Sequence, residues 1–193
     1  MNRRIEEKIL MGEAPTVVMW DLECTNLSGM IGRMLCCSFK PLGGEVYTFR
    51  GDQKQFKAKS GDIIDDSLLA VAIRDELESY DVIVGHNSKL FDAKFLAARL
   101  FKAGKRPREN RLHVDTMWAV RSNLRMSSKL ENIQHFTGLE DKKTPITWDD
   151  WARAGAFVKP AMDQVVSHCE QDVKVLEGAY RRLIPYIKSL REG

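Results

Sequence analysis

The sequence predicts an α/β domain with a mixed β-sheet and helices on both faces. One observation is a hairpin signal near the N-terminus, where Gly43 and Gly44 separate two strand-like runs. Paired glycines favour a hairpin because they accept the positive φ angles of the tight turns between antiparallel strands. A second observation is that short apolar runs then alternate with segments of helical periodicity, which is typical of parallel strands joined by helices.

Strands are predicted where short runs of apolar and β-branched residues are bounded by turn-forming residues. The apolar run from Val17 to Trp20 begins the first strand, which is expected to continue to Glu23. The other predicted strands cover roughly residues 33–40, 45–49, 81–85 and 111–115.

Helices are predicted where apolar residues recur with a period of about 3.6 residues. Residues 65–79 and 89–103 show this spacing. A C-terminal helix is expected to begin at Pro160, because proline fits the first turn of a helix, and to be kinked or ended by Pro185. The remaining predictions are an N-terminal arm or short helix within residues 1–14 and helices near 116–123, 127–136 and 147–157.

Length and composition predict one globular domain over residues 1–193. The proportions of hydrophobic residues (44%) and charged residues (30%) are ordinary for a soluble domain. No apolar stretch is long enough to cross a membrane, and the N-terminal segment lacks the apolar core of a secretory signal. The four cysteines show neither disulfide-scaffold density nor CxxC spacing, so we expect a cytoplasmic location with reduced thiols.

The net charge of +3, with a pI near 8.6, does not by itself indicate a nucleic-acid-binding protein. Its distribution is more informative, because clustered cations can contact phosphates. A helix end followed by a solvated basic loop is an equally good interpretation of the same cluster. The cations concerned are Lys102, Lys105, Arg106, Arg108 and Arg111, and the same two interpretations apply to Lys142 and Lys143.

Two acids stand where the first predicted strand ends. Asp21 and Glu23 are two residues apart, so their side chains lie on the same face of the strand. Carboxylates held so close repel each other and raise each other's pKa unless a cation lies between them. A hard divalent metal, which prefers oxygen ligands, would explain the pair. The alternative is a solvated strand end with two surface acids.

Further candidate residues lie in two predicted helices. Asp92 falls in the first turns of the helix after the fourth strand, where an acid is also favoured simply by the helix dipole. His168 and Asp172 are four residues apart on the C-terminal helix and therefore face the same way. Such a pair is often a surface contact, but beside a metal-binding carboxylate the histidine would be a general base.

Three groups of residues follow one another along the chain: Asp21-x-Glu23, His86-Asn87-x-x-x-Phe91-Asp92-x-x-Phe95-Leu96 and His168-x-x-x-Asp172. Together they resemble the three exonuclease motifs of the DEDD superfamily. Its members are ribonuclease H-like 3′→5′ exonucleases, which include polymerase proofreading domains. The resemblance spans residues 16 to about 182, nearly the whole chain. A His-Cys-x-x-Asp-Val segment and Asp115-Thr116 make the chain most similar to the YprB-like predicted exonucleases of bacteria and phages.

The resemblance implies a ribonuclease H-like fold and a two-metal-ion phosphodiesterase. Two Mg²⁺ or Mn²⁺ ions would be held by Asp21, Glu23, Asp92 and Asp172, and His168 would deprotonate or orient the attacking water. The sequence departs from the family at one point. One branch has a tyrosine four residues before the last aspartate and the other a histidine five before, whereas this chain has a histidine at the tyrosine spacing.

The implied partner is the 3′ end of DNA or RNA, and the implied products are nucleoside 5′-monophosphates. Two other functions are compatible with the same motifs. One is a structure-selective endonuclease, and the other is a nucleic-acid-binding module of the same fold that has lost its catalytic activity. The presence of all four acids argues against the second, because a degenerate site usually lacks at least one.

Substrate contacts are less sharply predicted. By the resemblance, Thr25 and Leu27 would touch the terminal nucleotide, although Thr25 is equally well explained as a turn residue. Asn87 would either contact a substrate phosphate or cap a helix starting near Lys89. Asp115 would either support the acidic site from outside or cap the next helix. For Trp148 and Trp151, packing is the default expectation and base stacking the alternative.

Overall fold

The chain is described here from a computed structural model, over residues 5, 8, 10–58, 62, 64–107, 112–139 and 146–187. The described strands, counted along the chain, form one sheet in which the order across the sheet is third, second, first, fourth and fifth. The second strand is antiparallel to the first and to the third, whereas the fourth strand is parallel to the first and the fifth is parallel to the fourth. The predicted mixed sheet is therefore confirmed. The strands are β1 (Val17–Cys24), β2 (Met34–Pro41), β3 (Tyr47–Arg50), β4 (Val82–Gly85) and β5 (Leu112–Asp115).

Six α-helices of two turns or more are found in the described part of the chain. They are α1 (Ser67–Glu78), α2 (Asp92–Lys102), α3 (Thr116–Asn123), α4 (Leu130–Thr137), α5 (Trp148–Gly155) and α6 (Lys159–Leu183). A 3₁₀ turn, Ile184–Tyr186, follows α6 and contains Pro185, as expected of a residue that cannot continue a helix. Residues 5, 8 and 10 are helical, while Ile9 lies outside the described residues. None of the described helices is long and apolar enough to span a membrane.

The two faces of the sheet are covered by different helices. Side chains alternate along a strand, so Val18, Trp20 and Leu22 of β1 point to one side and Met19 to the other. The first side packs against α1 and α2, and the second packs against α3, α4 and α6. The prediction of helices on both faces is thus confirmed. Residues of β1 on the same face as Met19 consequently face α6.

The predicted hairpin joins β2 and β3, and Gly43 has the positive φ (+77°) that its turn requires. Helix α6 crosses this hairpin and is attached to it at regular intervals. Three acids of α6 spaced seven residues apart each contact the hairpin, because that spacing keeps them nearly in line on a helix. Asp163 pairs with Arg50, Glu170 accepts a hydrogen bond from Thr48 Oγ1, and Glu177 pairs with Lys40 while accepting a bond from Gly43 N, all at 2.7–2.9 Å.

Helix α2 begins later than the sequence suggested, at Asp92 instead of near Lys89. The residues before it form a turn in which Asn87 has a φ of +59° and its carbonyl accepts hydrogen bonds from the N–H groups of Leu90 and Phe91. The N-cap position belongs to Phe91 and has no side-chain cap. The interpretation of Asn87 as the cap of this helix was therefore wrong, because the chain needs a left-handed turn there before it can enter the helix.

A buried ion pair links α1 to α2. Arg99 is only 2% exposed, and its Nε donates to both carboxylate oxygens of Asp66 at 2.8 and 2.9 Å. Its Nη1 and Nη2 atoms donate to the carbonyls of Gly29 and Ile64, respectively. Asp66 in turn accepts a hydrogen bond from the N–H of Met34 at 2.8 Å. One guanidinium thereby joins two helices, the start of β2 and the loop that follows β1.

Arg99→Ala is expected to destabilise the fold strongly, because it leaves the Asp66 carboxylate buried without its cation. The expected loss in free energy of unfolding is about 3–5 kcal/mol. Lys159→Ala is the matched control, since the Lys159 side chain is 80% exposed and pairs with Asp163 at the surface. It should cost less than about 1 kcal/mol. Urea denaturation of both variants provides the measurement, and equal losses would contradict the assigned role of Arg99.

Candidate active site

Strand β1 directs both of its acids toward α6. Asp21 and Glu23 alternate with Trp20 and Leu22, which are buried on the opposite face of the sheet. The contact with α6 is direct, because the Cys169 thiol lies 3.4 Å from both the carbonyl oxygen and the Oδ2 atom of Asp21.

Helix α6 brings His168 and Asp172 to the same place. The Nε2 atom of His168 lies 4.0 Å from Glu23 Oε1 and 3.8 Å from Asp172 Oδ2. Its Nδ1 atom is buried and has no hydrogen-bond partner among the described residues. The two distances at Nε2 are those of ion pairs and are longer than a hydrogen bond. A histidine four residues before the last aspartate does reach the acidic cluster.

Asp92 approaches β1 from the other side of the sheet. It is 4% exposed, and its Oδ1 atom accepts a hydrogen bond of 3.1 Å from the main-chain N–H of Leu22, which lies between Asp21 and Glu23. The registered pairing of β1 with β4 ends at Met19, so this N–H has no strand partner on that side. Asp92 satisfies it and so brings α2 against the end of β1.

The electrostatics of the cluster oppose ionisation. The pKa of Glu23 is raised well above its ordinary value, first by burial and then by the charge of Asp21, with smaller contributions that include Asp172 and Asp92. Burial also raises the pKa of Asp92 to about 7, although main-chain hydrogen bonds partly counteract this effect. Acids whose ionisation at neutral pH is unfavourable ionise more easily when a cation lies between them, so the cluster indicates a site for positive charge.

The donor atoms fit a hard divalent cation. A carboxylate oxygen from each of Asp21 and Glu23 and the Cys169 sulfur lie within 4.8 Å of one another, while Asp92 and Asp172 lie outside this tight group. Burial raises the pKa of the Cys169 thiol well above its ordinary value, so it remains protonated at neutral pH. It then serves as a weak hydrogen-bond donor to Asp21. The ligands left for a metal are carboxylate oxygens, which Mg²⁺ and Mn²⁺ prefer.

The proximity of Cys169 to the acids was missed by sequence reasoning. In the sequence, Cys169 is marked only by its position next to His168. Neighbouring residues of a helix point about 100° apart, so the neighbour of a histidine that faces the acids normally points elsewhere. It reaches Asp21 because the strand crosses α6 closely enough to touch two neighbouring positions of the helix.

Asp115 supports the site from outside, at the end of β5. It caps α3 by accepting hydrogen bonds from the N–H groups of Met117 and Trp118, which confirms the predicted cap. It also accepts bonds from the N–H groups of Asn87 and Lys89, each at 3.0 Å. Both proposed roles of Asp115 thus coexist, because its two oxygens also fix the turn that leads into Asp92.

A cleft of about 810 Å³ opens beside Glu23. Thr25 and Leu27 line it, together with Phe91, Trp148 and Trp151. The hydroxyl of Thr25 accepts a hydrogen bond of 3.1 Å from Arg33 N, so it helps to close the loop between β1 and β2, while its contact with a nucleotide stays a prediction. Leu27 is 86% exposed. Asn87 is not among the described residues that line the cleft.

Of the cations considered for phosphate binding, Arg108, Arg111, Lys142 and Lys143 lie outside the described residues. Lys102 is the last residue of α2, whose first residue is Asp92. At 1.5 Å per residue the two lie about 15 Å apart along the helix axis. The Lys102 end of the basic cluster is therefore remote from the acids.

A model of the RNase H superfamily matches residues 19–184, a range that contains the whole acidic cluster. Among solved structures, the chain is similar to the family B DNA polymerase from the hyperthermophilic archaeon Pyrobaculum calidifontis, with a TM-score of 0.68 and 17% sequence identity. The match covers 89% of this chain but only 25% of the polymerase chain, and at this identity it establishes a likeness of fold. A search of curated proteins found no match.

Asp92 is expected to make the metal-free protein less stable as the pH rises. Its pKa of about 7 in the folded protein lies above the value near 4 of an unfolded chain, so its contribution to stability is present below about pH 4 and lost as the pH rises through 7. The melting temperature in EDTA should therefore fall between about pH 5 and pH 8. Asp92→Asn keeps an acceptor for Leu22 N–H and should make this fall shallower.

Mg²⁺ or Mn²⁺ should raise the melting temperature much more at about pH 8 than at about pH 5, since protons compete with metal for the carboxylates. Asp75→Asn, at an exposed acid of α1, is the control and should leave both effects unchanged. A melting temperature indifferent to millimolar metal at neutral pH would count against the metal site.

Proposed function

Because the chain belongs to the RNase H superfamily and has its ribonuclease H-like fold, we propose that it is a metal-dependent 3′→5′ exonuclease acting on DNA or RNA. The single observation that carries the proposal is the partly buried acidic cluster around Glu23, whose pKa is raised by burial and by three neighbouring acids. The proposed metal ligands are Asp21, Glu23, Asp92 and Asp172, which would hold two Mg²⁺ or Mn²⁺ ions.

In the proposed reaction, a water oxygen attacks the terminal phosphodiester and the bond between phosphorus and the 3′ oxygen of the preceding nucleotide breaks. A nucleoside 5′-monophosphate leaves, and the shortened strand ends in a new 3′-hydroxyl. Two bound divalent ions would lower the pKa of the water and neutralise the charge developing on the phosphate. Asp92 and Asp172, from helices on opposite faces of the sheet, would fix the positions of the two ions relative to β1.

We propose His168 as the group that accepts the proton from the water at Nε2. This atom faces Glu23 and Asp172 at 4.0 and 3.8 Å. Both carboxylates would stabilise the imidazolium that forms, so the same groups that bind metal also favour proton transfer.

Two other functions, a structure-selective endonuclease and a nucleic-acid-binding module without turnover, are the alternatives to exonuclease activity. A structure-selective endonuclease would use the same cluster and differ only in where the strand is cut. A binding module without turnover is less consistent with the acids, because a site that no longer binds metal gains nothing from burying several carboxylates together. The resemblance to YprB-like exonucleases and a cytoplasmic location are part of this proposal.

Digestion of 5′-labelled single-stranded DNA and RNA with Mg²⁺, Mn²⁺ or EDTA tests the proposal. We expect a ladder of shortened labelled products with either metal and none with EDTA. Asp21→Asn should abolish the ladder, whereas Asp75→Asn should cleave normally. Discrete internal cuts would indicate an endonuclease, and retarded mobility without cleavage would leave only a binding function.

His168→Ala is expected to reduce the turnover rate about 10²–10⁴-fold, the usual contribution of a general base. Metal should still raise the melting temperature of this variant, because its carboxylates are intact. Single-turnover rates of wild type and variant between about pH 6 and pH 9 provide the measurement. Near-normal rates across that range would show that His168 is not the base.

A further inference from the structure

One face of α5 forms a wall of the cleft beside Glu23. The residues of α5 that line the cleft are Trp148, Trp151, Ala152 and Gly155. Their spacing of three, four and seven residues puts them on a single stripe of the helix. The stripe carries two large aromatic side chains at its N-terminal end and two small residues beyond them.

Helix α5 is held rigidly enough to present these rings. A capping box between Thr147 and Asp150 fixes its first turn. Ala154, on the side away from the cleft, is fully buried in a cluster with residues of α6. Trp151 packs partly against the same cluster, so its position is determined on one side and it meets the cleft on the other.

Helix α5 lies close to the loop after β1. A Cβ atom at Gly155 would lie 3.5 Å from Cγ2 of Thr25, which is ordinary van der Waals contact. The loop and the helix consequently face each other across the cleft at close range. The cleft thus lies between α5 and the loop after β1, the strand that carries Asp21 and Glu23.

Among the described residues, several large apolar side chains around this cleft are exposed. Trp148 is 89% exposed, and Leu27 and Ile31 across the cleft are also largely exposed. Clustered exposure of large apolar side chains on a soluble domain usually marks a binding surface. Among the described lining residues Arg33 is the only cation, and its guanidinium lies 4.0 Å from the ring of Phe157. The wall therefore suits flat apolar groups better than phosphates.

We propose that Trp148 and Trp151 form a base-stacking wall that holds the unpaired bases at the 3′ end of a substrate strand. This inference rests on the proposed nuclease function. Glu23 belongs both to the cleft and to the acidic cluster, so a strand whose scissile phosphate lies at the acids has its nearest bases in this cleft. Every base offers a flat face, and stacking on an aromatic side chain tolerates any sequence. A base that is still paired must first unpair and unstack, at a cost in free energy, before it can enter the cleft, so single-stranded ends are preferred.

Anisotropy of short 5′-labelled oligothymidylates tests the wall without requiring catalysis. Binding is measured with Ca²⁺ in an Asp21→Asn background to prevent cleavage, for an oligonucleotide with all its bases and for one with abasic residues at its two 3′-terminal positions. We expect the abasic ends to weaken binding about 5–150-fold for each base removed. Trp148→Ala should weaken binding of the complete oligonucleotide and lose most of the discrimination between the two.

Trp118→Ala is the matched control, since Trp118 lies half exposed on α3 and does not line the cleft. It should bind both oligonucleotides as the background protein does. Trp148→Phe retains a ring and should restore much of the discrimination, which separates stacking from damage to α5. Trp151→Phe extends the comparison to the half-buried ring without opening a large cavity.

The proposal is overturned if Trp148→Ala binds both oligonucleotides with unchanged affinities, or if the background protein binds neither of them. The outcome is separable from the nuclease proposal. Base-dependent binding by a protein whose wild type never cleaves with Mg²⁺ or Mn²⁺ would retain the wall and remove the nuclease. Cleavage with no dependence on Trp148 would retain the nuclease and remove the wall.

Discussion

The hydrogen bond from the Leu22 main-chain N–H to Asp92 is the interaction on which the site depends. It occurs where β1 extends beyond its pairing with β4, and it joins a helix from one face of the sheet to the strand that carries two acids facing the other. One oxygen of Asp92 is used for this structural purpose. Since the same side chain is a proposed metal ligand, it couples the geometry of the fold to that of the site.

The acidic cluster is a cost that the rest of the fold has to offset. Burial raises the pKa of both Glu23 and Asp92, and the charge of Asp21 raises that of Glu23 further, which means that ionising these acids in the folded state opposes folding. The compensating stability comes from the apolar packing on both faces of the sheet and from ties such as Arg99 to Asp66. A bound cation would convert the same repulsion into affinity, because the ligands are already assembled.

The sequence predicts those features of the site that depend on local periodicity. The common face of Asp21 and Glu23 follows from strand alternation, and that of His168 and Asp172 from helical spacing. It does not predict the left-handed turn at Asn87, the contact of Cys169 with Asp21, or the union of Arg99 with an aspartate 33 residues away. Each of these depends on which elements meet after the sheet has assembled, and no local pattern contains that information.

The seven-residue spacing of the acids on α6 makes the length of this helix a fixed quantity. His168 and Asp172 occupy the same helix as the three acids that contact the hairpin, so the proposed catalytic positions and the anchoring positions share one register. A single residue inserted after His168 would rotate everything beyond it by about 100°, carrying Asp172 and Glu177 away from their partners together. A substitution on α6 removes the contacts of one residue, whereas a change in the number of its residues displaces all the contacts beyond it.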